Sequence, residues 1–357
     1  MLVYWTACIM SMLFTAFCVR VKHEKTNVRY YLLLSFFSAL PLIFIASIRY
    51  DVGMDYCYTY LKYFRQVQSG RIYSQLEILY HLLNVLVIKL NGDFPWVFAL
   101  TAIIFFTIVY YQFFQDSPNV YLSIFLLVGT TYLFIFFNAM RQLVGCSIVL
   151  LSLRYARERK LFKFLLIVAI AVGFHWSCAV FVVFYFISNL SLKPRTVLTA
   201  TVCILVGSEL IARVLKILIG YTKYAVYIGS QFDTGERGII VLLINLGVLL
   251  FATVFSSDDP VYRQYYNLQV IASWIEILTG SVVLINRLRL MFGLPVCILI
   301  PMALANISTG KRGGGNRLFA GTVIVVLYFI YASYTIGVQN GNSVLPYRTV
   351  FSLTTFP

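Results

Sequence analysis

Apolar runs of about 20 residues recur from one end of this sequence to the other, and only short polar stretches separate them. Inside a bilayer the peptide groups have no water to bond, so such a run is stable there only as a helix. Charged residues make up 11% of the chain, whereas a soluble domain carries about 25%, and this excludes a soluble protein. We therefore predict an all-α polytopic integral membrane protein of about 12–14 transmembrane helices, in which residues 1–357 form a single polytopic domain.

Positive charge orients the predicted spans. The net charge is +15, and most of the Lys and Arg residues lie in short loops at 20–25, 154–163, 193–195 and 311–312. The positive-inside rule places such loops in the cytoplasm. The first run, residues 2–19, is predicted to be a span rather than a removable signal peptide, since it lacks a basic start and a clear cleavage site.

The number of runs between the first two basic loops does not fit this orientation. Both loops are predicted to be cytoplasmic, which requires an even number of crossings, but five apolar runs lie between them. Either residues 56–72 also enter the membrane, or the run at 76–90 does not cross it fully. We predict that residues 49–75 form a polar and amphipathic segment at the outer face, with a re-entrant path as one reading.

The stretch 47–56 concentrates charge directly after an apolar run. Arg49, Asp51 and Asp55 arrive together there, with Gly53 between the two carboxylates. Charges at the rim of the hydrocarbon are costly unless they face protein or a water-filled cavity, so this cluster is a functional-site hypothesis. The alternative is an ordinary interfacial loop whose arginine reaches the lipid headgroups.

Further cations are predicted on the same outer side, where the positive-inside bias would normally remove them. An outer cavity that binds an anion would explain them, because arginine offers a planar fork to phosphate. Unrelated arginines that reach lipid phosphates are the alternative. The outer cations, with His175 at the same level, are Arg49, Arg141, Lys223, Arg237, Arg287, Arg289 and Arg348.

Several short motifs are spread along the chain. They are Arg49 to Tyr60 with Gly53 and Asp55 inside it, Met140-Arg141-Gln142, Phe174-His175-Trp176-Ser177, and the weaker stretches 221–227, 287–289 and 346–348. Together they resemble the EpsG family, the Wzy-like polymerases of exopolysaccharide and O-antigen, across residues 45–350. Met54 departs from the small polar residue that is usual in the family. Glu77 falls where an acidic residue often precedes an aromatic-rich helix, in a context that is loosely similar.

The resemblance implies a multi-spanning, GT-C-like glycosyltransferase in the inner (plasma) membrane of a bacterium, with its active site facing the periplasm or the exterior. Its substrates would be repeat oligosaccharides linked to undecaprenyl diphosphate, as in lipopolysaccharide synthesis. The growing glycan would pass from its lipid diphosphate to a sugar hydroxyl of the next lipid-linked unit. No cofactor, metal, nucleotide sugar or nucleic acid is expected. The other expected partners are membrane lipid and, at the family level, a chain-length-regulating co-polymerase.

The implied reaction assigns roles to particular side chains. Fixed cations would stabilise the charge that develops on the departing diphosphate, a base would activate the acceptor hydroxyl, and tyrosines would stack on sugar rings. The predicted diphosphate-binding residues are Arg49, Arg141, Arg287, Arg289, Lys223 and Arg348, the catalytic candidates are Asp51, Asp55 and His175, and the sugar-binding candidates are Tyr50, Tyr56 and Tyr60. Each has a plainer reading: the aspartates hold Arg49 by an ion pair, His175 is a satisfied interfacial histidine, and the tyrosines form an aromatic belt.

Two other functions remain open at this point. A flippase or transporter of lipid-linked oligosaccharide would also need an arginine-lined cavity, but transporters usually contain internal repeats, and the sequence shows none. A ligase of the O-antigen type differs from a polymerase only in its acceptor. A polymerase is the leading hypothesis, and Arg49→Ala is predicted to abolish polymerisation while the protein still inserts normally.

Overall fold

The computed structural model of the protein describes residues 1–19, 27–71, 77–221, 225, 238–279, 282, 285–307 and 313–352. Within these ranges the chain forms 17 α-helices and no β-strand. An isolated backbone bridge joins Arg49 and Thr349. The prediction of an all-α fold is confirmed.

The helices follow one another with short connections, and a few π-helical and 3-10 segments extend them. The α-helices are α1 Leu2–Cys18, α2 Val28–Ser47, α3 Lys62–Gln68, α4 Ile78–Lys89, α5 Pro95–Asp116, α6 Val120–Gly129, α7 Tyr132–Asn138, α8 Met140–Arg157, α9 Leu161–Val172, α10 Phe184–Ile187, α11 Pro194–Val206, α12 Ser208–Gly220, α13 Ile239–Val254, α14 Pro260–Thr279, α15 Asn286–Gly293, α16 Val296–Ala305 and α17 Gly313–Ala332. The π-helical segments are Tyr56–Leu61 and Ser333–Val338, and the 3-10 helices are Trp176–Val183, Gly341–Ser343 and Val350–Ser352.

Length and composition identify candidate membrane spans among the described helices. Three are long and apolar enough to cross a bilayer on their own: Val28–Ser47, Pro95–Asp116 and Gly314–Val338. Two further pairs qualify only together, because α6 and α7 meet at a bend of 52° and α15 and α16 at a bend of 44°. Shorter apolar helices of 10–17 residues, such as α4 and α9, accompany them. These helices confirm a polytopic membrane protein, and the total of 12–14 crossings stays a prediction.

The chain divides into two compact units. Unit 1 comprises Met1–Ser152, Leu165–Ala179 and Ser308–Pro357, and unit 2 comprises Leu153–Phe164 and Val180–Ile307. Each unit is described by itself below. The predicted polytopic domain over the full chain stays a prediction.

Small polar residues let the first helices of unit 1 pack closely. The Ser11 hydroxyl on α1 donates to the Ser38 carbonyl on α2 at 2.7 Å, and it also bonds the Tyr110 hydroxyl of α5. Small side chains allow helix backbones to approach in a membrane, where the hydrophobic effect does not drive helices together. Tyr4 on α1 donates to the Val344 carbonyl at 2.7 Å and so ties the C-terminal stretch to the same core.

Buried amides organise unit 2. The Asn267 amide on α14 donates to the carbonyls of Ile187 and Leu190, each at 3.0 Å. On the same helix, Gln264 donates to the Leu153 carbonyl at 2.9 Å. Asn267 and Gln264 are both fully buried, and such groups are stable away from water only when they are hydrogen-bonded. The bonds therefore fix α14 against the ends of two other segments of its unit.

One apolar run of the sequence contains two helices. In residues 196–219 the structure divides the run into α11 and α12 at Gly207. The Gly207 backbone leaves the helical path there, since its φ and ψ are −84° and 3°. A hydropathy pattern cannot detect such a break, because glycine is neutral in hydropathy although it weakens a helix interior by about 1 kcal/mol.

Candidate active site

Two charged or titratable side chains from distant parts of unit 1, Arg141 and His175, meet at Glu77. One oxygen of the Glu77 carboxylate lies 2.7 Å from Nη1 of Arg141, and the other lies 2.8 Å from Nδ1 of His175. The main-chain N–H of Trp176 also donates to this second oxygen at 3.4 Å. We call Glu77, Arg141 and His175 the Glu77 cluster.

Local structure at three helix ends places these side chains. Glu77 has extended backbone directly before α4, Arg141 is the second residue of α8, and His175 lies just before the 3-10 helix Trp176–Val183. The Leu79 N–H donates to the Gly173 carbonyl at 2.8 Å and so joins the start of α4 to the His175 turn. A side chain at position 173 would collide with Leu79, because a Cβ there would lie 2.6 Å from it. Glycine at 173 is thus needed for the two segments to meet.

The surroundings of Glu77 keep its carboxylate charged. Its side chain is 4% exposed, and this burial raises the pKa of the carboxyl, because the charged form loses its hydration. The hydrogen bond with His175 and the charge of Arg141 act in the opposite direction and outweigh burial, so the pKa of Glu77 lies below its usual range. The cluster therefore contains a fixed negative charge between two positively chargeable partners.

His175 is held by one ring nitrogen. Its Nδ1 bonds Glu77, its side chain is 13% exposed, and within the described parts of the chain no hydrogen-bond partner of its Nε2 is found. A carboxylate on Nδ1 sets the tautomer that carries the proton on that nitrogen and leaves Nε2 as an acceptor. The arrangement suits a general base, whose pairing with a carboxylate also stabilises the imidazolium formed after proton uptake.

Arg141 offers a cation beside this base. Its side chain is 20% exposed, and its guanidinium lies over the ring of Tyr80 at 5.5 Å from the centroid. A guanidinium has five N–H donors, and the contact with Glu77 is made through one terminal nitrogen. The position of Arg141 is suited to an anionic group that approaches the cluster.

Tyr60 and Asn138 fix the start of α8, from which Arg141 projects. The Tyr60 hydroxyl donates to the Asn138 carbonyl at 2.6 Å and accepts from the Met140 N–H at 2.8 Å. Tyr60 is 2% exposed, so its predicted role in sugar binding stays a prediction that this buried geometry does not favour. Its observed contacts position the helix end next to Arg141.

Arg49 lies deep inside unit 1. It is 0% exposed, donates to the Phe137 carbonyl at 2.8 Å and the Val52 carbonyl at 3.3 Å, and lies between the rings of Phe98 and Phe137. Burial lowers the pKa of Arg49 to about 10, so it remains a cation at neutral pH. In this geometry the guanidinium contacts only protein, and diphosphate binding by Arg49 stays a prediction.

The other predicted residues of this stretch lie at the surface or in its aromatic packing. Asp51 is exposed and pairs with Arg348 at 3.4 Å, while the Asp55 carboxylate accepts the Thr59 hydroxyl at 3.0 Å. Tyr56 is buried, and Tyr50 packs against it with ring centroids 5.7 Å apart. None of these contacts includes a residue of the Glu77 cluster, and the predicted roles of these residues stay untested.

The remaining predicted cations belong to unit 2 or lie outside the described residues. Arg289 pairs with Glu276 at 2.8 Å, with side-chain exposures of 16% and 7%, and its Nε donates to the Asn286 side chain at 2.9 Å. Arg287, on the same helix, is exposed. Lys223 lies outside the described residues. Their roles in diphosphate binding stay predictions.

A statistical model of the EpsG family matches residues 4–349, which is nearly the whole chain. The chain belongs to the EpsG family. This membership supports a polysaccharide polymerase of glycosyltransferase type in a membrane. No curated protein and no solved structure matches the chain.

The structure adds one residue to the site of this EpsG-family protein. Sequence reasoning places Arg141 and His175 among the site residues but leaves Glu77 outside them. Glu77 nevertheless connects the two, because each of its carboxylate oxygens contacts one partner. Its position directly before an apolar helix was the available signal, since a carboxylate there needs a partner if it is buried.

The described part of the EpsG-family chain contains no group of three or more His, Cys, Asp or Glu residues arranged to hold a metal ion. The Glu77 cluster contains two residues of these types, Glu77 and His175, and its third member is the cation Arg141. The expectation that the reaction needs no metal stays a prediction.

Proposed function

We propose that this protein is a polysaccharide repeat-unit polymerase. It transfers a growing glycan from undecaprenyl diphosphate to a sugar hydroxyl of another lipid-linked repeat unit at the outer face of the bacterial inner membrane. The single observation that carries the proposal is the Glu77 cluster, because it places a chargeable base and a cation on one buried carboxylate. Glycosyl transfer from a diphosphate needs both groups near the reacting bond.

His175 is the proposed base. Its Nε2 accepts the proton of the acceptor hydroxyl, and the acceptor oxygen forms a bond to the anomeric carbon of the donor sugar. The bond between that carbon and the diphosphate oxygen breaks, and the electron pair leaves with the diphosphate. Glu77 holds the ring by Nδ1 at 2.8 Å and stabilises the imidazolium, which then loses its proton to water.

Arg141 is the proposed partner of the leaving group. As the bond breaks, negative charge grows on the diphosphate oxygen, and a fixed cation lowers the free energy of that state more than that of the substrate. Arginine suits phosphate oxygens because its planar fork can donate two hydrogen bonds at once. The contact with Glu77 restricts the rotamers of Arg141 before the substrate arrives.

The charge at the two ends of α8 supports an outward-facing site. Arg141 lies at the first turn of α8, while Arg154 and Arg157 lie in its last turn. The 18 residues of α8 extend about 27 Å, and although α8 is not among the helices that qualify as spans by length and composition, we propose that it crosses the membrane. The positive-inside rule assigns the end that carries Arg154 and Arg157, followed by Lys160, to the cytoplasm, and the end with Arg141 to the outer face.

Reconstitution tests the proposed function. The purified protein in liposomes, supplied with synthetic lipid-diphosphate-linked repeat units and no ATP, should produce a ladder of glycans on a gel. His175→Asn should lower the rate about 10²–10⁴-fold, because the asparagine amide can replace Nδ1 as a donor to Glu77 but offers no base at the Nε2 position. Arg195→Gln, an exposed arginine of α11, is the control and should polymerise normally.

Two outcomes would contradict the proposal. Movement of the lipid-linked unit between leaflets without a ladder would identify a flippase. A ladder of normal rate from His175→Asn would remove His175 as the base while leaving a polymerase.

A further inference from the structure

A cavity of about 590 Å³ lies in unit 1 among residues outside the Glu77 cluster. Its volume falls within the range of about 300–1,000 Å³ that is typical for small-molecule sites. Its lining combines the cations Lys62, Arg65 and Arg71 with Tyr50, Tyr56 and neutral polar side chains of α3 and the residues next to it. We call it the α3 cavity.

The charged residues that line the α3 cavity are cations. Among the described residues its lining includes Lys62, Arg65 and Arg71 and no acidic residue, while the Asp51 carboxylate lies behind the lining and accepts from the Cys57 thiol at 3.5 Å. Lys62 and Arg65 are three residues apart on α3, so they lie on one face of the helix. Arg71 returns to this face by a turn after the helix, in which Gly70 has a φ of +74° and the Arg71 N–H donates to the Gln66 carbonyl at 3.0 Å. The fold thus assembles three cations around one open space.

Aromatic and neutral polar groups complete the lining. Tyr56 is 2% exposed and packs edge-to-face against Phe94 at 5.4 Å, so little of its ring is open to a sugar, whereas Tyr50 is partly exposed. Tyr50 packs against Tyr56. Gln66 and Ser69 contribute a side-chain amide and a hydroxyl to the lining. Tyrosine combines an apolar ring face with a polar tip, and sugars present both C–H faces and hydroxyls. Together with the cations, this lining fits a saccharide that carries negative charge.

One short segment connects the α3 cavity to the start of α8. The π-helical segment Tyr56–Leu61 contributes Tyr56 and Leu61 to the cavity, and its Tyr60 hydroxyl bonds the Asn138 carbonyl and the Met140 N–H. Met140 directly precedes Arg141 of the Glu77 cluster. A glycan in the cavity would therefore contact the same segment that positions the proposed leaving-group cation.

We propose that the α3 cavity binds an acidic saccharide, one that bears carboxylate or phosphate groups, as part of the lipid-linked substrate or the growing chain. The inference rests on the proposed function and specifies its substrate class: the polymer would be an anionic polysaccharide. Arginine and lysine together distinguish an acidic from a neutral sugar by charge.

Direct binding tests the inference without any polymerisation. The full-length protein in phosphatidylcholine nanodiscs is titrated with a tetrasaccharide of alternating glucuronate and N-acetylglucosamine, and with a neutral tetramer of N-acetylglucosamine. The acidic probe should bind at least about tenfold more tightly, and more weakly at high salt, since screening weakens exposed charge pairs. Lys62→Gln and Arg71→Gln should each lower its affinity about two- to fivefold. Lys193→Gln and Arg195→Gln are exposed controls of the same residue types and should change nothing.

The outcomes separate this inference from the proposed function. Equal affinity for the two probes, or unchanged affinity in Lys62→Gln and Arg71→Gln, overturns the acidic-saccharide site. Loss of bound phosphatidylglycerol from these two variants in native mass spectrometry, with no preference for the acidic probe, overturns it in favour of a lipid headgroup. His175→Asn should still bind the acidic probe. Specific binding by a wild-type protein that makes no ladder would contradict the polymerase alone.

Discussion

Arg49 and Arg141 are alike in sequence context, since each is predicted to bind diphosphate at the outer face, but their surroundings differ. Arg49 is completely buried and hydrogen-bonded to main-chain carbonyls, whereas Arg141 is partly exposed and paired with the Glu77 carboxylate. An arginine that already donates to carbonyls inside protein has exchanged its hydration for those bonds, and releasing it would leave them unsatisfied. We therefore expect Arg141, rather than Arg49, to meet the substrate.

Arg141→Lys tests this assignment at a single side chain. Lysine keeps the charge beside Glu77 but loses the planar fork, so binding of the leaving diphosphate should weaken. We expect polymerisation to fall about 10–100-fold, with little change in the unfolding temperature. The measurement is the glycan ladder of the reconstituted protein, with Arg195→Lys as the matched control. Normal polymerisation by Arg141→Lys would show that the fork has no role in the reaction.

Glu77 should make stability depend on pH in the acidic range. Its pKa in the folded protein lies below the unfolded value of about 4.3, so its contribution is complete above that pH and is lost as the pH falls through the folded pKa. Glu77→Gln removes the charge and should cost about 1–3 kcal/mol at neutral pH. The difference from the wild type should then shrink below about pH 4.

Thermal unfolding in detergent, followed by tryptophan fluorescence at a series of pH values, measures this difference. Asp93→Asn, which removes an exposed carboxylate, is the control, and its unfolding temperature should change with pH in the same way as that of the wild type. A constant difference between Glu77→Gln and the wild type at all pH values would mean that the Glu77 charge does not stabilise the fold.

At the scale of elements, residues 49–53 form a turn, the Arg49 turn, which is held in place by the buried side chain of Arg49. The turn leaves α2, forms an isolated bridge between Arg49 and Thr349, and includes Gly53 at a φ of +98°. A Cβ at Gly53 would lie 2.9 Å from the Asn138 side chain and 3.1 Å from the Phe137 carbonyl, so only glycine permits this approach. The end of α7 and the turn are therefore held together by the Arg49 guanidinium, which donates to the Phe137 and Val52 carbonyls, and by the close approach of Gly53 to Asn138.

Arg49→Ala should lower the stability of the fold at the Arg49 turn. The Phe137 and Val52 carbonyls would lose their donor in a buried position, for which we expect a loss of about 2–4 kcal/mol. Polymerisation should fall together with the amount of folded protein, and the unfolding temperature should drop. Arg195→Ala is the exposed control. Lost activity at an unchanged unfolding temperature would instead support the prediction that Arg49 contacts diphosphate.

The same elements show how much of the fold and of the site can be predicted from the sequence. Hydrophobic runs predict helices well, because a long apolar stretch in lipid has few alternatives to a helix, and α1 and α4 follow the apolar runs at 2–19 and 76–90 closely. The break at Gly207 is not encoded in hydropathy. The composition around Arg49 indicates a polar cluster but not its burial, which depends on rings from α5 and α7. Glu77 contacts Arg141 and His175, which lie 64 and 98 positions further along the chain. A local sequence pattern cannot show contacts between residues so far apart.

At the scale of the whole molecule, topology decides which compartment supplies the substrate. Cys57 is an exposed cysteine beside the Asp51 carboxylate, on the π-helical segment whose Tyr60 hydroxyl bonds the start of α8. Arg154, near the other end of α8, is also exposed. The positive-inside rule predicts that these two positions lie on opposite sides of the membrane.

Labelling with a membrane-impermeant maleimide tests this topology. In spheroplasts of a Cys203→Ser strain, Cys57 should react from outside, and Cys57→Ser should abolish the signal. Burial and the hydrogen bond to Asp51 raise the pKa of the Cys57 thiol, so the reaction needs mildly alkaline buffer. Arg154→Cys, in a protein that lacks Cys57 and Cys203, should react only after permeabilisation. Labelling of both positions from outside would contradict a single crossing by α8, while labelling of Arg154→Cys alone would reverse the orientation and place the Glu77 cluster in the cytoplasm.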